Sequence, residues 1–177
     1  MVATGKSAEY GLLFKNAESL ENLHKVDTIL LDKTGTITEG KPQVTDILTD
    51  LDEKEFIKLA SSMEIKSEHP LSNAINEFAK EKNIQNIEVL DFESISGKGI
   101  KAKYNNEIYY GGNISLMKEK NINLNFYQEK SDKLSNEGKT SMYFANEKEV
   151  IGIITLQDRP KSLSKIAIDE MKKMGYE

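Results

Sequence analysis

A short apolar run that ends at an acidic residue constrains the fold of this chain more than any other feature. Residues 26–31 are predominantly apolar with β-branched members, and Asp32 and the glycine-containing loop 33–36 follow at once. A run of this length and composition predicts a buried strand of an α/β sheet. Ligands of such sheets collect beyond the carboxyl ends of the strands, so Asp32 is well placed to meet one.

The remaining periodicities predict a second, different kind of domain. Helical spacing is found from Asp52 and again from Pro70, a favoured first helical position, whereas alternating patterns separated by turns predict strands between residues 89 and 155. Further helices are expected at 8–24, 113–118, 125–136 and 163–174, a turn at 38–42 and a strand at 44–48. The fold class is therefore an α+β domain (41–154), with an antiparallel sheet and flanking helices, inserted into an incomplete α/β domain formed by 1–40 and 155–177.

The composition of the chain excludes several kinds of partner and of site. The chain has 177 residues and a net charge of −5, which gives no electrostatic reason to expect nucleic acid as a partner. It contains no cysteine, which excludes disulfides and thiolate metal sites. Its apolar runs are far shorter than the roughly 20 residues that a membrane-spanning helix needs.

The loop after Asp32 has the chemistry of phosphoryl transfer. A carboxylate can attack a phosphoryl group, Gly35 allows a tight turn beside a phosphate, and the hydroxyls of Thr34 and Thr36 can bind its oxygens. Asp32-Lys33-Thr34-Gly35-Thr36 resembles the phosphorylation signature of P-type ATPases, within the haloacid dehalogenase-like superfamily. The resemblance implies Asp32 as the nucleophile, with Lys33 and Thr34 in the catalytic site and Asp32 and Thr34 among the Mg²⁺ ligands.

A phosphatase of the same superfamily is the first alternative. Such phosphatases usually carry an acid two positions after the nucleophile, which activates water against the aspartyl-phosphate. Thr34 stands at that position and cannot act as a comparable base near neutral pH. The sequence therefore favours a pump, in which the phosphorylated intermediate persists.

A second motif, Ser-Glu-His-Pro-Leu at 67–71, lies at the predicted start of a helix. It resembles the motif of heavy-metal-transporting P-type ATPases in which the histidine contacts ATP, which implies that role for His69. Five positions earlier, Glu64 corresponds to a glutamate that helps to bind adenine in that family. A helix cap with an exposed histidine, and a solvated carboxylate at a helix end, are the structural alternatives.

A third group of motifs contains paired glycines. Two glycines allow a ligand to approach the backbone closely, and Gly97-Lys98-Gly99-Ile100 resembles the family's Gly-x-Gly segment beside the nucleotide. Gly112-Asn113 resembles a Gly-Asn pair at the same pocket. The resemblance implies that Gly97, Gly99, Ile100, Gly112 and Asn113 bind ATP, whereas a hairpin turn and a helix cap are the alternatives.

The resemblance extends over the whole chain and implies a parent protein. Segments 38–42 and 44–46 are typical of copper pumps, which implies Cu⁺ transport, ATP and Mg²⁺ as cofactors, and a place on the cytoplasmic face of a membrane. Asp158 corresponds to the hinge between the domains. The partners implied are the membrane, actuator and metal-binding domains of the pump. Since the Mg²⁺-binding Gly-Asp-Gly-x-Asn-Asp segment is absent, we expect ATP binding with poor phosphorylation of Asp32; a non-catalytic nucleotide-binding module is the second alternative.

Overall fold

A computed structural model describes residues 2–23 and 25–177, so that Met1 and His24, at the ends of the predicted segments 1–40 and 8–24, lie outside the described residues. The helices are α1 (Val2–Glu9), α2 (Ala17–Leu23), α3 (Glu53–Glu64), α4 (Pro70–Glu81), α5 (Ile114–Glu119), α6 (Tyr127–Asn136) and α7 (Ser164–Lys173). The strands are β1 (Thr38–Thr49), β2 (Leu90–Ile95), β3 (Gly99–Tyr104), β4 (Glu107–Gly112), β5 (Thr140–Asn146) and β6 (Val150–Pro160). Over the part of the chain that is described, no helix is long and apolar enough to cross a membrane.

All six strands form one sheet in the order β1-β6-β5-β4-β3-β2. Strands β2 to β6 pair antiparallel with their neighbours in sequence, as the closely spaced strands and turns predict. The register of β3 with β4 places Gly99 opposite Gly112, so that two of the glycines singled out in the sequence meet across the sheet.

Helices cover both faces of this sheet. Side chains along a strand alternate between its faces, and β5 shows the division: Phe144 packs with α3 and α4, whereas Tyr143 packs with α5 and α6. The helices α3 and α4 begin where the sequence predicts, because the carboxylate of Asp52 accepts a hydrogen bond from the Glu55 amide at 3.0 Å and Pro70 stands at the first helical position. The expected α+β architecture is confirmed.

The predicted helix 8–24 is wrong, because two helices, α1 and α2, stand in its place. Gly11 has φ +74°, and the Leu12 and Gly11 amides donate to the carbonyls of Ser7 and Ala8. These two hydrogen bonds close a Schellman motif, the common way in which a glycine ends a helix. The apolar spacing across Gly11 therefore does not belong to a single helix.

The predicted buried strand at 26–31 is not formed either. Leu30 is 93% exposed, and the backbone of Asp27 and Ile29 exchanges hydrogen bonds of 2.9 Å with Glu177 alone among the described residues. A strand requires paired neighbours and covered faces as well as an apolar composition. The local pattern is the one predicted, but the packing that would bury it is not present.

The predicted turn at 38–42 is part of β1, which lies at the edge of the sheet beside β6, where a proline such as Pro42 is tolerated. The chain divides into two compact units, residues 38–159 and residues 1–37 with 160–177. These divisions lie a few residues from the predicted domain limits at 40/41 and 154/155.

Candidate functional site

One pocket of about 360 Å³ in the unit 38–159 collects the residues that the second and third motifs single out. Its volume is within the range of small-molecule sites. Its walls come from the end of α3, the start of α4, the end of β2 with the turn that leads into β3, the end of β4 and the start of β5. The predicted residues that line it are Glu64, His69, Gly97, Gly99, Ile100, Gly112 and Asn113.

Glu64, at the carboxyl end of α3, is the unusual group in this pocket. Its side chain is 1% exposed, its Oε2 accepts a hydrogen bond from Ser72 Oγ at 2.6 Å, and its Oε1 has no partner among the described residues. Burial raises the pKa of Glu64 to about 7, although the hydrogen bond from Ser72 works in the opposite direction. A buried carboxylate oxygen without a partner is costly, so this one is an acceptor available to a ligand.

His69 is the N-cap of α4. Its Nδ1 accepts a hydrogen bond from the Leu71 amide at 3.2 Å, which satisfies one of the free amides at the start of the helix. In the neutral ring the proton is then on Nε2, which leaves an exposed ring with one donor at the edge of the pocket. The sequence presents a helix cap and a contact with a ligand as alternative roles of His69. In this geometry one side chain can have both roles.

Gly99 and Gly112 allow β3 and β4 to approach each other closely. A Cβ at Gly99 would stand 2.1 Å from the Gly111 carbonyl oxygen, and one at Gly112 would stand 2.2 Å from the Lys98 carbonyl oxygen. The two backbones approach each other, so the expected reason for these glycines, close approach of a ligand, is not needed to explain them. Gly97, with φ +68° and open space around it, is a turn residue.

Asn113 connects this turn to α5. Its Nδ2 donates to the Gly97 carbonyl at 3.0 Å, while its Oδ1 caps the helix by accepting from the Leu116 amide at 3.1 Å. The predicted helix cap is confirmed. The same side chain holds the glycine turn in place beside the pocket, so the cap has a second structural task.

Six polar residues of the pocket, among them Ser94 and Thr140, were not predicted from the sequence. Ser67 and Ser72 lie beside Glu64, Lys98 forms an ion pair with Glu119, and Ser141 carries a buried hydroxyl without a partner among the described residues. Ser67 and Lys98 stand inside the motifs and could have been included. Nothing local distinguishes Ser72 or Ser141 from an ordinary serine, because only packing brings them to this pocket.

The loop after Asp32 belongs to the other unit and forms a tight turn. The dihedral angles of Thr34 (−76°, 120°) and Gly35 (78°, −16°) match the central residues of a type II β-turn, which requires a glycine at the second of them. Lys161 Nζ donates to the Gly35 carbonyl at 2.6 Å, and Ser164 Oγ donates to the Ile37 carbonyl at 2.6 Å. The returning segment 160–164 therefore holds this loop.

Asp32, Lys33 and Thr34 are exposed and lie together in this loop, not among the residues that line the pocket. Within residues 2–23 and 25–177, no three His, Cys, Asp or Glu side chains are grouped so that they could hold a metal ion. Asp32 and Thr34 nevertheless offer oxygen donors, which Mg²⁺ prefers, and Mg²⁺ commonly completes its shell with water and substrate phosphates. The residues present fit a partial magnesium site.

Asp158 lies at the end of β6, where the unit 38–159 rejoins the rest of the chain. Its Oδ2 accepts from Thr38 Oγ1 at 2.5 Å and from the Gly40 amide at 3.2 Å, and its Oδ1 accepts from the Lys41 amide at 3.2 Å. One carboxylate thus ties together the entering and leaving strands of the unit. Its role as a functional hinge stays a prediction.

Comparison with known proteins identifies relatives over the whole chain. A family model for haloacid dehalogenase-like hydrolases matches residues 26–177. A copper-exporting P-type ATPase of Staphylococcus saprophyticus is 41% identical over 171 residues, which are 97% of this chain and 21% of that protein. One of Staphylococcus aureus is 41% identical over 180 residues, covering 100% of this chain and 22% of that protein.

Two solved ATPase structures also match nearly the whole of this chain. A zinc-transporting PIB-type ATPase in the E2.Pi state matches with a TM-score of 0.79 at 29% identity, covering 99% of this chain and 28% of that one. The catalytic domain of the CPx-ATPase CopB-B, which changes conformation upon nucleotide binding, matches with a TM-score of 0.71 at 27% identity, covering 98% and 60%.

This chain spans about a fifth of the length of the curated relatives described above. Its matching family model covers most of its residues, and its similarity to the copper pumps runs from one end to the other. The chain belongs to the haloacid dehalogenase-like hydrolase family, and its relatives include copper-exporting P-type ATPases.

Proposed function

We propose that the unit 38–159 binds ATP and that the protein is the ATP-handling part of a copper-translocating P-type ATPase. The observation that carries the proposal is the unpaired Oε1 of the buried Glu64, which lies in the pocket that the motif residues line. Such an oxygen suits a ligand with an N–H donor, and the amino group of adenine is one. The residues proposed to contact ATP are Glu64, His69, Gly97, Gly99, Ile100, Gly112 and Asn113.

Each part of the pocket has a distinct task in this proposal. Glu64 accepts from the adenine amino group, and guanine, which carries a carbonyl at the corresponding position, offers it no donor there. The exposed ring of His69 stacks against the base or donates from Nε2. Ile100, which is 3% exposed, provides apolar surface, and the glycine turn held by Asn113 leaves room for the rest of the nucleotide.

Phosphoryl transfer is assigned to the second unit. An oxygen of the Asp32 carboxylate attacks the γ-phosphorus, the bond from this phosphorus to the β–γ bridging oxygen breaks, and ADP leaves. Lys33 and Thr34 contribute their donors to the phosphoryl oxygens. Because Thr34 is not a base, water is not activated at this position and the aspartyl-phosphate persists.

Mg²⁺ supplies charge neutralisation on the phosphoryl oxygens when it is bound. Asp32 and Thr34 are the residues of this chain that would hold it. In the intact pump we propose Cu⁺ as the transported ion and the cytoplasmic face of the membrane as the location, on the basis of the copper-exporting relatives. The membrane, actuator and metal-binding domains are then the partners of this part.

A calorimetric titration of the 177-residue chain with ATP tests the proposal. We expect a Kd of about 1 mM or tighter, roughly −4 kcal/mol, and weaker binding of GTP. His69→Ala should weaken ATP binding by about five- to tenfold, since it removes the ring that contacts the base.

His69→Asn is the matched control, because asparagine is also a good N-cap but has no imidazole. If both variants lose affinity to the same degree, the ring contacts the ligand; if only the alanine variant does, His69 acts through the helix cap. A folded chain that binds no ATP, or binds GTP equally well, would contradict the proposal.

A further inference from the structure

The side chain of Ser72, on the first turn of α4, is buried against Glu64. Both residues are 1% exposed, and Ser72 Oγ lies 2.6 Å from Glu64 Oε2 and 2.8 Å from Ser67 Oγ. Because a hydroxyl has one proton and the carboxylate only accepts, Ser72 donates to Glu64 and the Ser67 hydroxyl donates to Ser72. A short chain of hydrogen bonds therefore runs from Ser67 through Ser72 to the carboxylate.

Two further features bear on where the Glu64 carboxylate lies. Asn76 Nδ2 donates to the backbone carbonyl of Glu64 at 3.2 Å, which ties the end of α3 to α4. Gly111 has no side chain, and a Cβ there would stand 3.2 Å from Glu64 Oε1. The glycine thus leaves room for Oε1 above β4, while Ser72 occupies Oε2.

We infer that Ser72 is a positioning residue for nucleotide recognition: it fixes one oxygen of Glu64 so that the other is presented to the purine base. The inference rests on the proposed ATP site and adds to it a residue outside the Glu64, His69 and glycine motifs. A carboxylate held by one charge-assisted hydrogen bond loses less rotational freedom when a ligand donates to its second oxygen.

The same hydrogen bond stabilises the ionised form of Glu64, which is the form that accepts most strongly. Removing it leaves desolvation unopposed, so the carboxylate becomes harder to ionise. The other groups around the pocket that can carry a charge are His69 at the start of α4 and Lys98 before β3, with Lys66 and Glu68 exposed on the segment between α3 and α4. The residues that β4 and β5 contribute to the pocket, at 112 and 140–142, have no acidic or basic side chain.

The test is the pH profile of ATP binding by the full chain, measured by calorimetry between pH 6 and pH 8.5. Glu64→Gln is the reference, because it removes the Glu64 carboxylate and leaves every other group of the chain and of ATP unchanged. We expect the affinity of the wild-type chain to fall about tenfold more than that of Glu64→Gln between pH 8 and pH 6. In Ser72→Ala the midpoint of this additional change should move up by roughly one pH unit, and at pH 7.5 the Kd should rise about threefold or more.

Two further serine variants make the result specific. Ser67→Ala, at the half-buried start of the hydrogen-bond chain, should shift the midpoint in the same direction by a smaller amount, and it tests the inference even if Ser72→Ala fails to fold. Ser135→Ala changes an exposed serine of α6 that does not line the pocket, so its profile should match the wild type.

The outcomes separate this inference from the proposed function. Absence of ATP binding by the folded wild-type chain overturns both. ATP binding that weakens in Glu64→Gln, with wild-type affinity and midpoint in Ser72→Ala and Ser67→Ala, overturns the positioning role and leaves the ATP site standing. An upward midpoint in both serine variants supports the inference.

Discussion

The two units of this chain differ in how far they bury their apolar side chains. Among the described residues, every buried hydrophobic side chain lies between Phe56 and Leu156, in the unit 38–159. The other unit leaves many of its large apolar side chains exposed: Tyr10, Leu12, Leu13, Leu23, Val26, Leu30, Leu31, Leu163, Ile166 and Met174. Its helices and turns have no core of this kind beneath them, and hydrogen bonds from Lys161 and Ser164 hold the loop after Asp32.

The clearest motif lies in the unit with the weaker packing. The turn 33–36 is specified by its own residues, since Gly35 alone meets the φ requirement of the type II turn. Glu64, by contrast, is an unremarkable acid in the sequence and becomes unusual only through burial. A turn can be encoded by neighbouring residues, whereas a pocket lined by distant segments depends on a core that holds those segments together.

Among substitutions that test this difference between the units, Phe56→Ala should have the largest effect on stability. The Phe56 ring is fully buried, and it packs edge-on against Phe144 at 5.8 Å and closely against Gly152. Its loss should lower the free energy of unfolding by about 3–5 kcal/mol, through lost burial and the cavity left behind. Urea unfolding followed by circular dichroism measures it.

Leu30→Ala is the control in the other unit. The Leu30 side chain is 93% exposed, so its truncation should change the free energy of unfolding by less than about 0.5 kcal/mol. A loss comparable to that of Phe56→Ala would mean that the unit containing Asp32 has a core that buries Leu30, and the contrast between the two units would not hold.

The next effect concerns pH, because the core of the unit 38–159 excludes water from Glu64. Its pKa is raised from 4.5 to about 7 by burial, so the folded state binds a proton more tightly than the unfolded state. Stability is therefore highest below pH 4.5, as far as this group is concerned, and is lost as the pH rises to about 7. The loss is on the order of 3 kcal/mol.

Chemical unfolding of the wild-type chain and of Glu64→Gln at pH 4.5 and pH 8 measures this contribution to the free energy of unfolding. Taking the difference between the two chains cancels the contributions of most other titrating groups. The two chains should have similar stability at pH 4.5, and Glu64→Gln should be the more stable at pH 8. Equal stability of the two at both pH values would show that Glu64 is well solvated in the folded protein.

The smallest of the three effects compares two glycines of one motif. Gly99→Ala brings a Cβ to 2.1 Å from a backbone oxygen of β4 and should cost about 2–3 kcal/mol, since the strands must separate. Gly97→Ala has open space and only the cost of φ +68°, about 1 kcal/mol. Thermal unfolding of both variants tests this order, and a reversed order would place the structural constraint in the turn.

Much of the fold could be predicted because the signals are local. The apolar spacing after Asp52 and Pro70 places α3 and α4, and Asn113 marks the start of α5 by its ability to cap. The hairpin turn at Asn105 and Asn106 has positive φ at both residues, which asparagine tolerates. Propensity, capping and turn chemistry act over a few residues, so one sequence is enough to read them.

The wrong predictions concern segments whose structure depends on parts of the chain that are distant in sequence. Residues 26–31 have the composition of a buried strand without the covered faces, and residues 38–42 join an edge strand because β6 is there to pair with them. The first outcome depends on packing, and the second depends on hydrogen-bonding partners more than a hundred positions away in the chain; no local pattern contains either.

The sequence by itself determined the glycine turn after Asp32, the helix caps and the set of residues predicted to bind ATP. Only the tertiary structure decided that Glu64 is desolvated, that Ser72 holds one of its oxygens, and that Gly99 and Gly112 face each other across two strands. The physical reason is one of range: backbone propensities act between near neighbours, whereas burial and charge stabilisation depend on all the segments that the fold brings together.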